Sequence, residues 1–335
     1  MRFVILSCAA VCLSASSPAA EIPEEQIRSA IQQAIPWLEK ASAGSSKENK
    51  CFTCHNHALP VMALSEAKQL GFSVDEDILK AQLEHILAHL KRGEKGYLAG
   101  KGQGGQVLTA GYALWALHAG GLAGDATTTA VTDYLLSDQS NKDHWTKKGT
   151  RPPSDGNEFT TTYVALRGLQ EFTPEIQNAA RETRFNTVAK WLSSTQPADT
   201  EDAVFRLKSL RIVQAEDAVA ESAIEQLLKQ QKPDGGWPQT GDMECDVYAT
   251  GSVMASLLTA GQLKPEHPAI QSGVQFLLDK QLEDGTWHVV TRADGFQPYY
   301  ETGFPHGEDQ FISVAASSWA TMALLRSLPN TGTTP

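Results

Sequence analysis

One short segment of this 335-residue chain has the residue types and spacing for covalent cofactor chemistry: Cys51-Phe52-Thr53-Cys54-His55. In the CxxCH pattern two thiols add across the vinyl groups of haem, and the adjacent histidine ligates the iron. Beyond the first 20 residues the chain contains only one other cysteine, Cys245. We therefore expect Cys51 and Cys54 to attach haem c and His55 to be an iron ligand.

The same residue types allow two other interpretations. In an oxidising compartment Cys51 and Cys54 could form a disulfide, and together with His55 and His57 they could instead bind Zn²⁺. The sequence does not specify the second axial ligand of a haem iron. The candidates are His85, His89, His118, Met62 and His306, although His85 and His89 also suit an i, i+4 pair on a helix surface.

The N-terminus predicts export. Arg2 is followed by the apolar run Phe3–Leu13 and by small residues ending at Ala20, which is the order found in a secretory signal peptide. The run is shorter than the ~20 residues that cross a bilayer, although a lipid anchor at Cys8 is an alternative. We expect residues 1–20 to be removed and the mature protein to be periplasmic or secreted, without a membrane span. Haem could then be attached to the chain after export.

Composition limits the classes of partner. The formal net charge is −11 at pH 7 and 41% of residues are hydrophobic. An acidic chain is disfavoured as a partner of nucleic acid or anionic membrane, whereas the apolar share suits a folded globular protein. We expect one folded domain over 21–328 and a disordered tail over 329–335. The expected partner is a periplasmic redox protein or a small apolar ligand.

The spacing of apolar residues indicates helices throughout the chain. Apolar positions recur three and four residues apart and are interrupted by Gly, Pro, Asp and Asn, whereas no convincing strand alternation is present. The pattern predicts an all-α chain of about twelve helices in six pairs. The predicted spans are 24–42, 57–71, 75–92, 106–120, 126–138, 158–171, 174–194, 200–214, 216–231, 246–261, 266–280 and 310–327.

Two of the turns between these helices are similar in sequence. The segment Gln230–Trp237, which contains Lys-Pro-Asp-Gly-Gly-Trp, is echoed by Gln281–Trp287, and each follows a helix that ends in Leu-Leu. Asp-Gly permits a sharp reversal at positive φ, Trp covers the hairpin end and Gln satisfies backbone groups. The helices after such turns are rich in small residues, and Thr109–Trp115 and Thr160–Leu166 are weaker copies.

These turns resemble the QW repeats of the squalene-hopene cyclase and protein prenyltransferase superfamily. The resemblance implies a single (α/α)6 toroid. Matching motifs support this fold over residues 216–328, whereas over residues 24–215 only the number of helices supports it. An open solenoid of stacked pairs is the structural alternative. The chain also resembles an uncharacterised group of exported bacterial cyclase-repeat proteins. The resemblance lies in the CxxCH motif and in residues 303–310, which read Gly-Phe-Pro-His-Gly-Glu-Asp-Gln. It does not indicate which reaction, if any, the protein catalyses.

The catalytic residues that this resemblance implies are missing. The cyclase Asp-x-Asp-Asp motif aligns with the segment starting at Asp246, where Tyr248 stands at the proton donor's position and is a poor acid, with an ordinary pKa near 10. The prenyltransferase Zn²⁺ set would also place its cysteine at Tyr248. We therefore expect neither activity. A shifted Zn²⁺ site at Cys245, Asp246 and His306 is the remaining metal alternative.

A long loop, Asp294–Asp309, precedes the last helix and is dense in aromatic residues. Long connections in compact domains are usually functional. In a toroid this loop would lie at one mouth, where its polar groups could act as acids and bases or contact the haem edge; alternatively it is an inert lid. The aromatic residues of the loop are Phe296, Tyr299, Tyr300 and Phe304. The candidate acid-base groups are His306, Glu308, Asp309 and Glu301 in the loop and Asp246 at the start of the predicted helix 246–261.

We therefore expect an exported haem c toroid serving electron transfer or a haem-dependent redox step. The alternative is a toroid that binds an apolar or glycan ligand and carries a Cys51–Cys54 disulfide. A third hypothesis, a glycan hydrolase or lyase, rests on fold analogy alone. It requires at least two of the candidate carboxylates to converge.

Overall fold

A computed structural model describes residues 22–138, 142–146, 151–155, 157–293 and 299–329. The expected signal peptide and nearly all of the expected tail lie outside these residues. The described residues form twelve α-helices and one two-residue antiparallel strand pair, Trp237–Pro238 (β1) with Cys245–Asp246 (β2). The helices are α1 Glu24–Glu48, α2 Leu59–Gln69, α3 Glu76–Leu98, α4 Gln106–Ala119, α5 Ala126–Ser137, α6 Glu158–Phe172, α7 Asn178–Ser194, α8 Thr200–Ile212, α9 Asp217–Gln230, α10 Val247–Thr259, α11 Pro268–Lys280 and α12 Gln310–Ser327.

The helices form two concentric layers. Each even-numbered helix packs on the next even-numbered one, and α12 packs on α2, so six inner helices make a closed ring. The odd-numbered helices lie outside them. The inner helices α10 and α12 are buried along nearly their whole length, whereas α3 and α11 bury one apolar stripe, as expected for helices exposed to water on one side. The predicted (α/α)6 toroid is confirmed.

Glutamine side chains join neighbouring units. Gln231 Nε2 donates to the carbonyl of Ala269 on the next outer helix at 2.8 Å. Gln281, at the equivalent place one repeat later, donates to the carbonyl of Ala30 in α1 at 2.9 Å. The last repeat therefore forms the same hydrogen bond with the first repeat as two consecutive repeats form with each other. The open solenoid is wrong, because the ends of an open array would not meet.

A tryptophan closes three of the helix pairs in the same way. The indole Nε1 of Trp237 donates to Leu227 O at 2.7 Å, and that of Trp287 to Leu277 O at 2.8 Å. Trp145 donates in the same way at 3.0 Å to Leu135, also ten residues earlier. No Asp-Gly precedes Trp145, so the repeat pattern did not indicate this third copy. A Leu-Leu pair ten residues before a tryptophan is the shared signal that could have found it.

Small residues allow the inner helices to approach closely. A Cβ at Gly251 in α10 would lie 2.7 Å from Ala320 N and 2.8 Å from Trp319 C in α12, and one at Gly111 in α4 would lie 2.6 Å from Val164 C in α6. Because the opposing atoms are backbone, they cannot move aside independently. These glycines set the spacing between inner helices.

Gly251→Ala is expected to lower the free energy of unfolding by about 1–3 kcal/mol, because the new methyl group overpacks a helix crossing. Urea denaturation of both proteins measures the change. Gly241→Ala is the matched control, since a Cβ there would meet no atom within 4 Å. Equal midpoints for Gly251→Ala and the unsubstituted protein would contradict the close-packing argument.

Candidate functional site

The CxxCH segment lies between α1 and α2 at one mouth of the ring. The first helix was predicted to end near residue 42, but α1 continues to Glu48. The helix persists because Ser45 is buried and Gly44 lets the backbone of the C-terminal loop approach, with Thr302 O only 1.9 Å from the position of a Cβ. After Thr53 the chain forms a π-helical turn, Cys54–Ala58, that leads into α2.

A cavity of about 660 Å³ opens at this segment, within the ~300–1,000 Å³ range of ligand sites. One wall is formed by residues 49–55 and another by the glycine-containing stretch 103–109. Cys51, Cys54 and His55 all line it. The three residues expected to attach haem are therefore brought to one cavity. Its other lining residues include His89, Arg92, Tyr112, Arg151 and Asp155.

The two motif thiols differ in environment. Cys51 is exposed, whereas Cys54 is partly buried, and both are free thiols in the structure, as is Cys245. Burial raises the pKa of the Cys54 thiol to about 11, with Arg151 opposing this shift. Cys54 is thus protonated at neutral pH.

His55 is the buried imidazole of the motif. Its Nε2 is buried without a hydrogen-bond partner, and its Nδ1 lies 3.7 Å from Cys54 Sγ. Burial, aided by the Arg151 charge, lowers the pKa of His55 to about 3, so the ring is neutral at physiological pH. An unpartnered buried nitrogen is costly. A neutral imidazole with a free lone pair is the form that ligates a metal, so the residues present suit an iron ligand.

Three further histidines hold the backbone of the motif. The amide of Phe52 donates to His89 Nδ1 at 3.3 Å, and the amide of Thr53 donates to His57 Nδ1 at 3.1 Å. His85 is hydrogen-bonded to the Cys51 backbone and stacks on His57, with ring centroids 4.7 Å apart. His85 and His89 are therefore not a simple surface pair. They orient the segment that carries the thiols.

Neither of the two Zn²⁺ sites considered from the sequence has a full set of available side-chain ligands in this arrangement. His57 uses Nδ1 to accept from Thr53 and contacts Ser46 Oγ through Nε2 at 3.1 Å, so neither ring nitrogen is available. For the shifted site, Asp246 caps α10 by accepting from Ala249 N, whereas His306 contacts Thr286. Within the described ranges, no three His, Cys, Asp or Glu side chains are grouped as a metal site requires.

The C-terminal loop reaches the motif through aromatic residues. Tyr300 Oη lies 3.2 Å from Ser45 Oγ and 3.5 Å from Asn56 Nδ2. Phe311, at the start of α12, packs between Tyr300 and His55, with centroid distances of 5.2 and 5.3 Å. Ring closure thus brings the last loop against the CxxCH segment. Phe296 lies outside the described residues.

The candidate acid-base groups are held by separate partners. His306 Nε2 lies 3.1 Å from Thr286 Oγ1, and its ring is tilted against that of His288, with centroids 4.7 Å apart. Asp309 contacts His288 Nε2 at 2.8 Å. Burial raises the pKa of Asp246, which caps α10. Glu301 accepts from Tyr299, and Glu308 is exposed. Nothing in the described part of the loop unites these carboxylates, so the glycan hydrolase hypothesis gains no support.

The centre of the ring contains a lysine that the sequence analysis missed. Lys208 is 6% exposed, and its Nζ lies 4.7–5.6 Å from four aromatic ring centroids. Burial lowers its pKa well below the ordinary value. The block around α8 is the most divergent repeat, so no motif indicated this position. The rings belong to Trp115, Tyr163, Phe205 and Trp319.

Nearby, the expected proton donor position is occupied by a hydrogen-bonded pair. Tyr248 Oη donates to Glu201 Oε1 at 2.9 Å. Burial raises the pKa of Glu201 to about 8 and that of Tyr248 well above its ordinary value. Both groups are protonated at neutral pH. Neither is a strong acid.

The C-terminal part of the chain is similar in sequence to known cyclases. Residues 198–331 match the squalene-hopene cyclase C-terminal domain. A lanosterol synthase of Saccharomyces cerevisiae is 29% identical over 103 residues, which are 31% of this chain and 13% of that protein. An alpha-onocerin synthase of Lycopodium clavatum is 33% identical over 95 residues, 28% of this chain and 12% of that protein. The matched part is thus a small fraction of these curated relatives.

Solved structures share the fold over nearly the whole chain. A type II terpene cyclase from Scytonema in complex with merosterolic acid A has a TM-score of 0.60 at 12% identity, covering 91% of this chain and 98% of that one. A possible member of the GH105 family from Salmonella enterica has a TM-score of 0.54 at 11% identity, with 97% and 99% covered. The chain therefore has the helical toroid fold of terpene cyclases, and its residues 198–331 resemble the squalene-hopene cyclase C-terminal domain.

Proposed function

We propose that this protein is an exported haem c protein in which Cys51 and Cys54 form the thioether bonds and His55 ligates the iron. It would serve electron transfer or a haem-dependent redox step. The observation that carries the proposal is the neutral, unpartnered Nε2 of His55, buried beside two free thiols at one cavity. When bound, haem would supply reversible one-electron chemistry.

The surrounding residues have definable tasks in this proposal. The amide-to-histidine bonds from Phe52 and Thr53 fix the backbone that carries the thiols. Phe311 packs against the His55 ring and limits its rotation. Arg92 lines the cavity, where a guanidinium group is well suited to bind a carboxylate of a haem. Arg151 also lines it and is paired with Asp155.

The exposure of the motif suits contact with a redox partner. Cys51 is exposed, so one edge of a group attached there would face solvent. A periplasmic partner is therefore proposed to dock at this mouth of the ring. No helix among the described residues is long and apolar enough to cross a membrane.

The apolar-ligand alternative is less well supported by the cavity's chemistry. Arg92, Arg151, Asp155 and Gln103 all line it, and binding an apolar ligand there would desolvate charged groups. Terpene cyclisation is not proposed either. Lys208 extends among the aromatic rings at the centre of the ring, where a hydrocarbon would otherwise have to lie.

The test is haem staining of the full-length chain, produced with its leader in cells that mature c-type cytochromes. The unsubstituted protein is expected to retain haem on a denaturing gel and to show a haem c pyridine haemochrome spectrum. The double variant Cys51→Ser/Cys54→Ser is expected to lose all covalent haem. Cys245→Ser is the matched control and keeps it.

Mass spectrometry of the same samples distinguishes the competing states. A mature chain lacking about 20 residues and carrying one added haem supports both export and attachment. A chain two hydrogens lighter, with Cys51 and Cys54 linked and no Soret band, would instead establish the disulfide and reject the haem proposal.

A further inference from the structure

The cavity contains one imidazole besides His55 among its described lining residues, His89, and no methionine. The other candidate second ligands lie elsewhere. Met62 is buried within α2, His118 pairs with Glu171, and His306 contacts Thr286. His85 stacks on His57 and does not line the cavity. Of the candidate second ligands, only His89 therefore lines the cavity. Tyr112 lines it too, but burial raises its pKa well above the ordinary value, which keeps it a neutral phenol.

The hydrogen bonds of His89 determine which of its nitrogens is protonated. Nδ1 accepts the amide hydrogen of Phe52 at 3.3 Å, and the guanidinium of Arg92 lies 3.5 Å from the same nitrogen. Because both groups donate hydrogen bonds to Nδ1, this nitrogen must carry a lone pair and no proton. In a neutral imidazole the proton is then on Nε2. Burial lowers the pKa of His89 to about 4, so the ring is neutral at physiological pH.

The other side of the ring fits this tautomer once the Gln103 amide is turned by about 180°. The structure places the Gln103 amide nitrogen against His89 Nε2. The oxygen of that amide is buried and has no other partner, and amide oxygen and nitrogen positions are assigned from such networks. An Nε2–H donor supplies the partner this oxygen needs. His89 therefore presents an N–H group rather than a lone pair.

His55 has the opposite arrangement. Its Nε2 has no hydrogen-bond partner, so among the described imidazoles that line the cavity it is the nitrogen that no neighbour occupies. The glycine-containing wall also leaves space, since a Cβ at Gly104 would meet no atom within 4 Å. Among the described residues that line the cavity, His55 thus offers an unoccupied imidazole nitrogen, whereas His89 Nδ1 is occupied by two hydrogen-bond donors.

We propose that this site, resting on the haem c attachment proposed above, leaves one iron coordination position open and binds a small uncharged ligand of the size of a diatomic gas. His89 and Gln103 are positioning residues: His89 holds the Phe52 backbone, and Gln103 holds the other side of the His89 ring. The protein would then be a ligand-binding haem protein, not one whose iron is saturated by two side chains.

The experiment uses the purified full chain loaded with haem during export. Its ferric electron paramagnetic resonance spectrum is expected to be high-spin, and its ferrous form is expected to bind carbon monoxide with a shift of the Soret band. His89→Gln keeps an amide oxygen near the Phe52 amide and is expected to leave the spin state unchanged. His118→Gln is the matched control, because His118 pairs with Glu171 and does not line the cavity.

Each other outcome has a distinct meaning. A low-spin ferric protein that becomes high-spin in His89→Gln would identify His89 as the second ligand and overturn the inference. A low-spin protein unaffected by His89→Gln would overturn it in favour of another side chain. Covalent haem in either case leaves the proposed function intact, whereas absence of covalent haem overturns both proposals.

Discussion

Replacing Lys208 by methionine is expected to stabilise the protein at pH 7, with an advantage that shrinks as the pH rises. Methionine keeps the length of the side chain but removes the amine from the ring of aromatic residues. Cation–π attraction of about 2 kcal/mol offsets only part of the several kcal/mol that desolvation of an ammonium costs. Burial therefore prevails, and the folded-state pKa of Lys208 lies well below 10.5.

The sign of the pH effect follows from proton binding. Between the lowered folded-state pKa and 10.5, the unfolded chain binds one proton more than the folded chain. The stability of the unsubstituted protein must then rise with pH, by up to about 1.4 kcal/mol per pH unit. Arg326 and Arg167 reinforce the lowering, whereas Glu201 and Glu66 oppose it. The advantage of Lys208→Met should fall by up to about 3 kcal/mol between pH 7 and pH 9.

Guanidinium denaturation at pH 7, 8 and 9 measures this difference. Titrating groups that do not interact with Lys208 cancel in the comparison, and Glu201, whose pKa is about 8, cancels as well when Lys208 is neutral. Lys229→Met is the surface control, since its side chain is 77% exposed, and a change within about 0.5 kcal/mol is expected there. A difference between Lys208→Met and the unsubstituted protein that stays constant with pH would show that Lys208 is charged in the folded state.

Glu66→Gln is expected to lower the free energy of unfolding by about 3 kcal/mol. Arg326 in α12 donates to both carboxylate oxygens of Glu66 in α2, each at 2.7 Å, and both side chains are 21% exposed. The pair joins the last inner helix to the first. Glutamine would leave the Arg326 charge partly buried without its counter-ion.

A double variant separates the cost of an unpaired charge from the value of the pair. Glu66→Met/Arg326→Met should recover most of the loss, because apolar replacements of buried ion pairs are often neutral or stabilising. The exposed pair of Glu76 with Lys68, with side chains 72% and 46% exposed, supplies the control, and Glu76→Gln is expected to change stability by less than about 1 kcal/mol. Equal losses for Glu66→Gln and Glu76→Gln would refute the argument. Urea denaturation measures all four proteins.

Helix positions were predictable because they depend on neighbouring residues. Nearly every predicted bound lies within two or three residues of the observed one, and caps such as Asp75 and Asp199 mark where helices begin. The exceptions are the ends of α1 and α3, which extend to Glu48 and Leu98, and the start of α7, which lies at Asn178, four residues later than predicted. At the end of α1, burial of Ser45 and contact with the C-terminal loop outweigh the weak helical preference of Ser and Gly.

The candidate site was predictable only in its covalent part. Cys51, Cys54 and His55 are adjacent in sequence, so a local pattern indicates them. The residues that surround them come from distant helices: His89 from α3, Arg151 from beyond α5 and Phe311 from α12. Their proximity depends on closure of the ring, which no local pattern encodes.

By itself the sequence determined the helical repeats, the Trp-capped turns at Trp237 and Trp287 and the CxxCH motif, since periodicity and short spacings are local properties. The tertiary structure decided that the ring closes through Gln281 and α1, that Lys208 lies within an aromatic cage, and that His89 bonds to the motif backbone. These are contacts between residues far apart in sequence. They exist only once twelve helices have packed, because burial and hydrogen bonding then set the charge and tautomer of each group.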